Sequence, residues 1–130
     1  MAIRKGVEVF EAEIESSDRA ARLARDLTRD RVGDIVSAAT LADVLTVMTE
    51  LVTNAVRHGE GGSVRVRLAV SSSLISGEVE NDGSAPVEPR ELDASHSGGL
   101  GLHIVSTLVD DWSVEAEAGK TLIRFELGLV

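Results

Sequence analysis

The sequence has no cysteine, which excludes disulfides, thiolate metal sites and thiol nucleophiles. It has two phenylalanines, one tryptophan and no tyrosine, an aromatic share of 2%. That is too little for the stacking platforms that hold single-stranded nucleic acid. No apolar run nears the length of a membrane span. The start, Met1-Ala2-Ile3-Arg4-Lys5-Gly6, lacks the apolar stretch of a secretion signal. Basic residues are in deficit: 13 Lys and Arg stand against 22 Asp and Glu, a net charge of -9. An acidic surface repels phosphodiester backbones and anionic lipids, so neither nucleic acid nor membrane is expected as a partner. A small anion held in a locally positive site stays open. These absences predict a cytoplasmic protein.

What is present is globular in kind. Hydrophobic content is 43% and charged content 27%, and 130 residues predict one domain, 1–130, that buries about two-thirds of its unfolded surface. Val7 to Ile14 alternates weakly as an edge strand, with Val7, Val9, Ala12 and Ile14 apolar. Ser16-Ser17-Asp18 offers a helix cap, followed by the stripe Ala20, Leu23, Ala24, Leu27. A second helix is expected from Thr40, with Asp43 completing a capping box. Val44, Leu45, Val47, Met48, Leu51, Val52, Ala55 and Val56 cover more than half of its circumference, so it packs on a broad face.

Val64, Val66, Leu68 and Val70 alternate with Arg65, Arg67 and Ala69, a half-buried strand. Leu74 to Asn81 follows as another. Residues 83–99 read as irregular and hold both prolines, Pro86 and Pro89. A helix is expected over Leu100–Asp110, then a hairpin around Gly119-Lys120. The order β-α-α-β-β-α-β-β predicts an α+β fold: a two-layer sandwich with a mixed, mostly antiparallel sheet and helices on one face.

Two segments carry chemistry. The first is Glu50-Leu51-Val52-Thr53-Asn54-Ala55-Val56-Arg57-His58-Gly59. Residues four apart on a helix turn by about 40°, so Glu50, Asn54 and His58 form a polar strip bordering the apolar arc. Such a strip is most often a solvated face. Asn, however, is a poor mid-helix residue because its amide competes for backbone groups. Its oxygen is a good hard-cation ligand, and a carboxylate one turn earlier could take a hydroxyl proton. His58 alone is weak, since a histidine at a helix C-terminus is commonly a cap. The second segment is Gly98-Gly99-Leu100-Gly101-Leu102. A glycine-rich helix start lets backbone approach an anion under a favourable dipole, although a plain flexible loop has the same composition. It is not a dinucleotide fingerprint, and Gly119-Lys120-Thr121 is not a P-loop, because the earlier glycine is missing and a strand follows. Asn81-Asp82-Gly83 is a natural strand end. Asn81 also shares a face with Val79 and Ile75. If that face is the core, its amide needs a partner, and a purine edge could be one.

With these residues in view the chain resembles the GHKL (Bergerat-fold) ATPases, in particular stand-alone bacterial anti-sigma factors that are also serine kinases. The likeness runs from the first strand to Leu127. The segment Glu50–Gly59 is similar to the family's N-box, and Asn81-Asp82-Gly83 to its first glycine box. Gly98–Leu102 is similar to the second glycine box, and Gly119 to Phe125 to the closing strand. The resemblance implies that Glu50 is the general base for a serine hydroxyl and that Asn54 binds Mg2+ bridging the phosphates of ATP. It places His58 near the phosphates and Asn81 and Gly83 at the adenine end. Backbone N–H groups of Gly99, Gly101 and Leu102 would lie on the phosphates, and Thr121 in the adenine network.

The sequence departs from the family pattern in two places. Asn81 stands for an aspartate, a loss of about 1 kcal/mol at the adenine amine, and Gly83-Ser84-Ala85-Pro86 lacks the second glycine. The lid, Ser84 to Ser97, is short. Implied partners are a sigma factor and a small STAS-type antagonist, with a homodimer as the expected state. A nucleotide-binding partner-switch module without kinase activity is the alternative. A histidine kinase is disfavoured, because no phosphoacceptor histidine precedes Thr40. The Arg-rich face of the first helix (Arg19, Arg22, Arg25, Arg29) could meet an acidic partner, but intrahelical pairing such as Asp18 with Arg22 explains it more simply.

Overall fold

The computed structural model describes residues 8–83 and 97–129. The elements are β1 (Glu8–Glu15), α1 (Ala20–Val32), α2 (Ala38–His58), β2 (Ser63–Val70), β3 (Leu74–Asp82), α3 (Ser97–Leu108), β4 (Asp111–Glu117) and β5 (Lys120–Gly128), in the order expected. They form a five-stranded sheet ordered β1-β2-β3-β5-β4. The expectation of a mixed sheet is corrected: each ladder is antiparallel. The crossover through α3 brings β4 parallel to β3, but β5 folds back between them and runs antiparallel to both.

One face of the sheet carries the core. Phe10, Ile14, Val64, Val66, Leu68, Val70, Ile75, Val79, Ile123, Phe125 and Leu127 meet Val44, Val47, Met48, Leu51 and Val52 of α2 and Leu102 and Val105 of α3. The alternation read in β2 and β3 is reproduced in burial. In β1 the inward residues are Phe10, Ala12 and Ile14, and Val9 is exposed. In α1 the buried positions are Ala20, Ala24, Thr28 and Val32, whereas Leu23 is exposed. Gly77 allows close packing in the sheet, since a Cβ there would lie 2.5 Å from Phe125 Cζ and 2.8 Å from Leu68 Cδ2.

Several boundaries differ from the sequence reading. The α2 cap is Ser37, whose hydroxyl accepts the Thr40 N–H at 3.1 Å. The last hairpin turns at Ala118 (φ 57°) and Gly119 (φ 76°), the left-handed pair that a two-residue hairpin loop requires. Helix α3 begins at Ser97, so Gly98 and Gly99 lie inside its first turn rather than before it. Apart from Ser97, the expected lid lies outside the described residues. By length and mean hydropathy (1.2), α2 does reach what a membrane span requires, contrary to expectation. Its apolar residues Val44, Val47, Met48, Leu51 and Val52 are packed in the core.

The opposite sheet face is charged. Arg67 pairs with Glu11 (3.0 Å), and Arg124 with Glu78 (3.2 Å) and Glu115 (3.3 Å). Arg65 pairs with Glu80 (2.6 Å) and Asp82 (3.0 Å).

Candidate nucleotide site

The broad apolar face of α2 fixes its rotation on the sheet, and that rotation decides what its flank presents. Glu50 is half-buried, Asn54 is 6% exposed, and His58 is exposed at the C-terminal end. The strip therefore climbs from the core edge to solvent along the helix. Helix α3 packs against α2, and the two meet where Gly101 faces Glu50. A Cβ at Gly101 would lie 2.5 Å from Glu50 Oε1. Only a residue without a side chain leaves the carboxylate where it is.

In a helix the amides of the first turn have no intrahelical acceptor. With α3 starting at Ser97, those amides include Ser97, Gly98 and Gly99. Gly99 is therefore among the amides that a helix start leaves free for an outside acceptor. Gly101 and Leu102 lie further into the helix, and Leu102 is buried in the core.

The other end of the site is built by the last residues of β3. Asn81 is 5% exposed on the helix-facing side and lies directly across from Thr121, itself 3% exposed. The Asn81 amide donates from Nδ2 to the Asp82 carbonyl at 2.9 Å. Thr121 donates its hydroxyl to the Gly83 carbonyl at 2.7 Å. Gly83 adopts φ 123°, a conformation that glycine alone accepts readily. Its N–H donates to the Gly119 carbonyl at 2.7 Å. Gly59, just past α2, comes close to the same amide: a Cβ there would lie 3.1 Å from Asn81 Nδ2. The end of α2, the end of β3 and the β4–β5 turn thus converge on one corner.

Sequence reasoning missed what braces that corner. Asp82 Oδ1 accepts from Arg65 (3.0 Å) and Lys120 (3.1 Å), and its carbonyl accepts the Glu60 N–H at 3.0 Å. The hydrogen bond from Lys120 and the one from Arg65 hold the Asp82 carboxyl below its ordinary 3.8. The bond to Glu80 raises Arg65, with Asp82 adding to it. The Asn-Asp-Gly turn was the available signal, but the pairing of its aspartate with Lys120 depends on the β3–β5 register.

Among the described residues no three His, Cys, Asp or Glu side chains gather as a metal site. The side-chain oxygen of Asn54, one helical turn from the Glu50 carboxylate, suits instead a hard cation that keeps most of its coordination for other ligands.

The sequence profile of the histidine kinase-like ATPase domain matches residues 10–127, and the chain belongs to that family. By sequence it is similar to the anti-sigma F factors of Thermoanaerobacter sp. (strain X514) and Thermoanaerobacter pseudethanolicus. Each is 29% identical over 97 residues, covering 65% of this chain and 67% of the relative. The fold matches part of a Mycobacterium tuberculosis structure that comprises RsbU and RsbW domains, with a TM-score of 0.75 at 20% identity. That match takes in 94% of this chain but only 32% of the other. The SiaB–SiaC complex of Pseudomonas aeruginosa contains a chain alike at a TM-score of 0.61 and 16% identity, covering 97% of this chain and 92% of that one.

Proposed function

We propose that this chain, as a single domain, is a cytoplasmic ATP-binding anti-sigma protein. In this reading it also phosphorylates a serine on a small STAS-type antagonist. The observation that carries the proposal is the corner just described: Glu50 and Asn54 on one helix flank, closed by Gly101 of α3 at one end and by Asn81 and Thr121 at the other. Relatives called anti-sigma F factors supply the partner class.

In this reading Asn54 would hold Mg2+ with the phosphates, and the ion supplies charge neutralisation when bound. Gly99 and the α3 start donate to the phosphate oxygens. Asn81, Gly83 and Thr121 form the adenine end, and His58 lies at the solvent mouth. The serine oxygen attacks the γ-phosphorus, the bond to the β,γ-bridging oxygen breaks, ADP leaves, and Glu50 accepts the serine proton. Such transfer depends on positioning and electrostatics rather than on covalent chemistry by the protein. Binding of sigma would alternate with binding of the antagonist, with a homodimer as the working state.

A second reading, a nucleotide-responsive binder without transfer, is favoured by one observation. The Asn81 amide hydrogen bonds to its own backbone neighbour and carries no charge for an adenine amine. Incubation with labelled ATP and STAS-type proteins of the same genome separates the two. The kinase reading expects labelled serine with wild type and a loss of about 100-fold or more for Glu50→Gln. Wild-type binding without any transfer would select the switch without kinase activity.

A further inference from the structure

We propose that Gly101 is a positioning residue for the Glu50 carboxylate, acting through the side chain it lacks rather than through a phosphate-binding amide. The inference rests on Glu50 being the base. Helix α3 begins at Ser97, so the amides without intrahelical acceptors lie before Gly101. A glycine this far into a helix weakens it relative to alanine. Nor does its own backbone require glycine, because Gly101 is not among the positive-φ residues. What does require it is Glu50: a Cβ at 101 would lie 2.5 Å from Oε1, 3.5 Å from Cδ and 3.9 Å from Cβ of Glu50.

Only the end of the glutamate side chain is in the way. Added bulk at 101 would displace the carboxylate while leaving both helices in place. The first turns of α3 and the base are thereby coupled: whatever seats α3 on α2 also sets where the carboxylate points. A glutamate side chain has three rotatable bonds and, without such a wall, would sample several positions. Gly101 gives it a fitted recess.

The test uses two readouts on the whole chain. The first needs no turnover. With glutamate side-chain carboxyls labelled with carbon-13, the Glu50 resonance is assigned by its loss in Glu50→Gln. Gly101→Ala is expected to shift that resonance more than any other glutamate's, with a Tm no lower than wild type. An unmoved Glu50 resonance in folded Gly101→Ala protein overturns the proposal, whatever the activity. If Gly101→Ala does not fold, folding of the Glu50→Asp/Gly101→Ala pair supports the contact, and failure of the pair overturns it.

The second readout is single-turnover release of the γ-phosphate of Mg-ATP to water. Gly101→Ala is expected to slow it by about tenfold or more, with Kd for Mg-ATP within about threefold of wild type. In the Glu50→Asp background the same alanine is expected to cost less than about threefold, because the shorter carboxylate clears the new methyl group. Equal losses in both backgrounds overturn the proposal. So does a collapse of Mg-ATP affinity with the carboxylate unmoved, which would assign Gly101 to close phosphate approach. A Glu50→Gln rate equal to wild type refutes the base reading instead, and the carboxyl resonance then decides the positioning separately.

Discussion

Thr121 donates its hydroxyl to the Gly83 carbonyl at 2.7 Å, a bond between buried groups that ties β5 to the end of β3. Removing the donor leaves a carbonyl out of water. Thr121→Val keeps the shape, and it is expected to lower unfolding free energy by about 1–2 kcal/mol. Thr121→Ser should retain most of the stability. Urea unfolding of the three proteins checks this. In the nucleotide reading the same valine also weakens Mg-ATP binding, and the serine does not.

Asn81 presents a second trade. Its Nδ2 donates to the Asp82 carbonyl at 2.9 Å. Asn81→Asp would set a carboxylate oxygen against that carbonyl and a second acid beside Asp82. The ligand-free protein is expected to lose about 1–2 kcal/mol, while affinity for adenine nucleotide rises through a charge-assisted contact to the amine. Thermal unfolding with and without Mg-ATP should show a lower Tm alone and a larger upward shift with nucleotide.

Asp82 gives a pH prediction. Lys120 and Arg65 hold its carboxyl below 3.8 in the folded chain. The folded protein therefore binds this proton less readily than the unfolded chain. The associated stability is fully present above the unfolded value of about 3.9 and is lost as pH falls through the lower folded value. Asp82→Asn should flatten the acid limb of a stability-versus-pH profile below about pH 4. The exposed position predicts that salt shrinks the difference.

Gly77 tests the packing of the layer beneath the site. A Cβ there would lie 2.5 Å from Phe125 Cζ and 2.8 Å from Leu68 Cδ2. Gly77→Ala is expected to destabilise by about 1–3 kcal/mol through overpacking. Adding Phe125→Leu should recover part of that loss, since the two changes share one space. Chemical denaturation of the single and double variants measures the coupling.

Where local pattern and burial agree, the sequence was readable. The strict alternation of Val64 to Val70 and the broad apolar face of α2 gave the right elements and most of the inward residues, with Leu45 only partly buried. The placement of Asn81 beside Ile75 and Val79 followed from strand period alone. Leu23 was misread because α1 turns its small residues, Ala20 and Ala24, to the core, a choice that close helix packing makes and periodicity does not. The start of α3 was misread because glycines oppose helix by propensity, yet packing against α2 overrides it. The ion pairs of Arg65, Arg67 and Arg124 were not legible at all, since they need the strand order and register. For the candidate site the sequence supplied the residues. The structure supplied their grouping, and it set Gly101 against the flank of Glu50.

Calorimetric titration of ATP into wild type and Asn54→Ala, with and without Mg2+, tests the nucleotide site most directly. Mg2+-dependent binding by wild type is expected, with a loss of about tenfold or more in affinity for Asn54→Ala. No heat of binding at millimolar ATP, or equal affinity in all four titrations, would contradict the nucleotide reading.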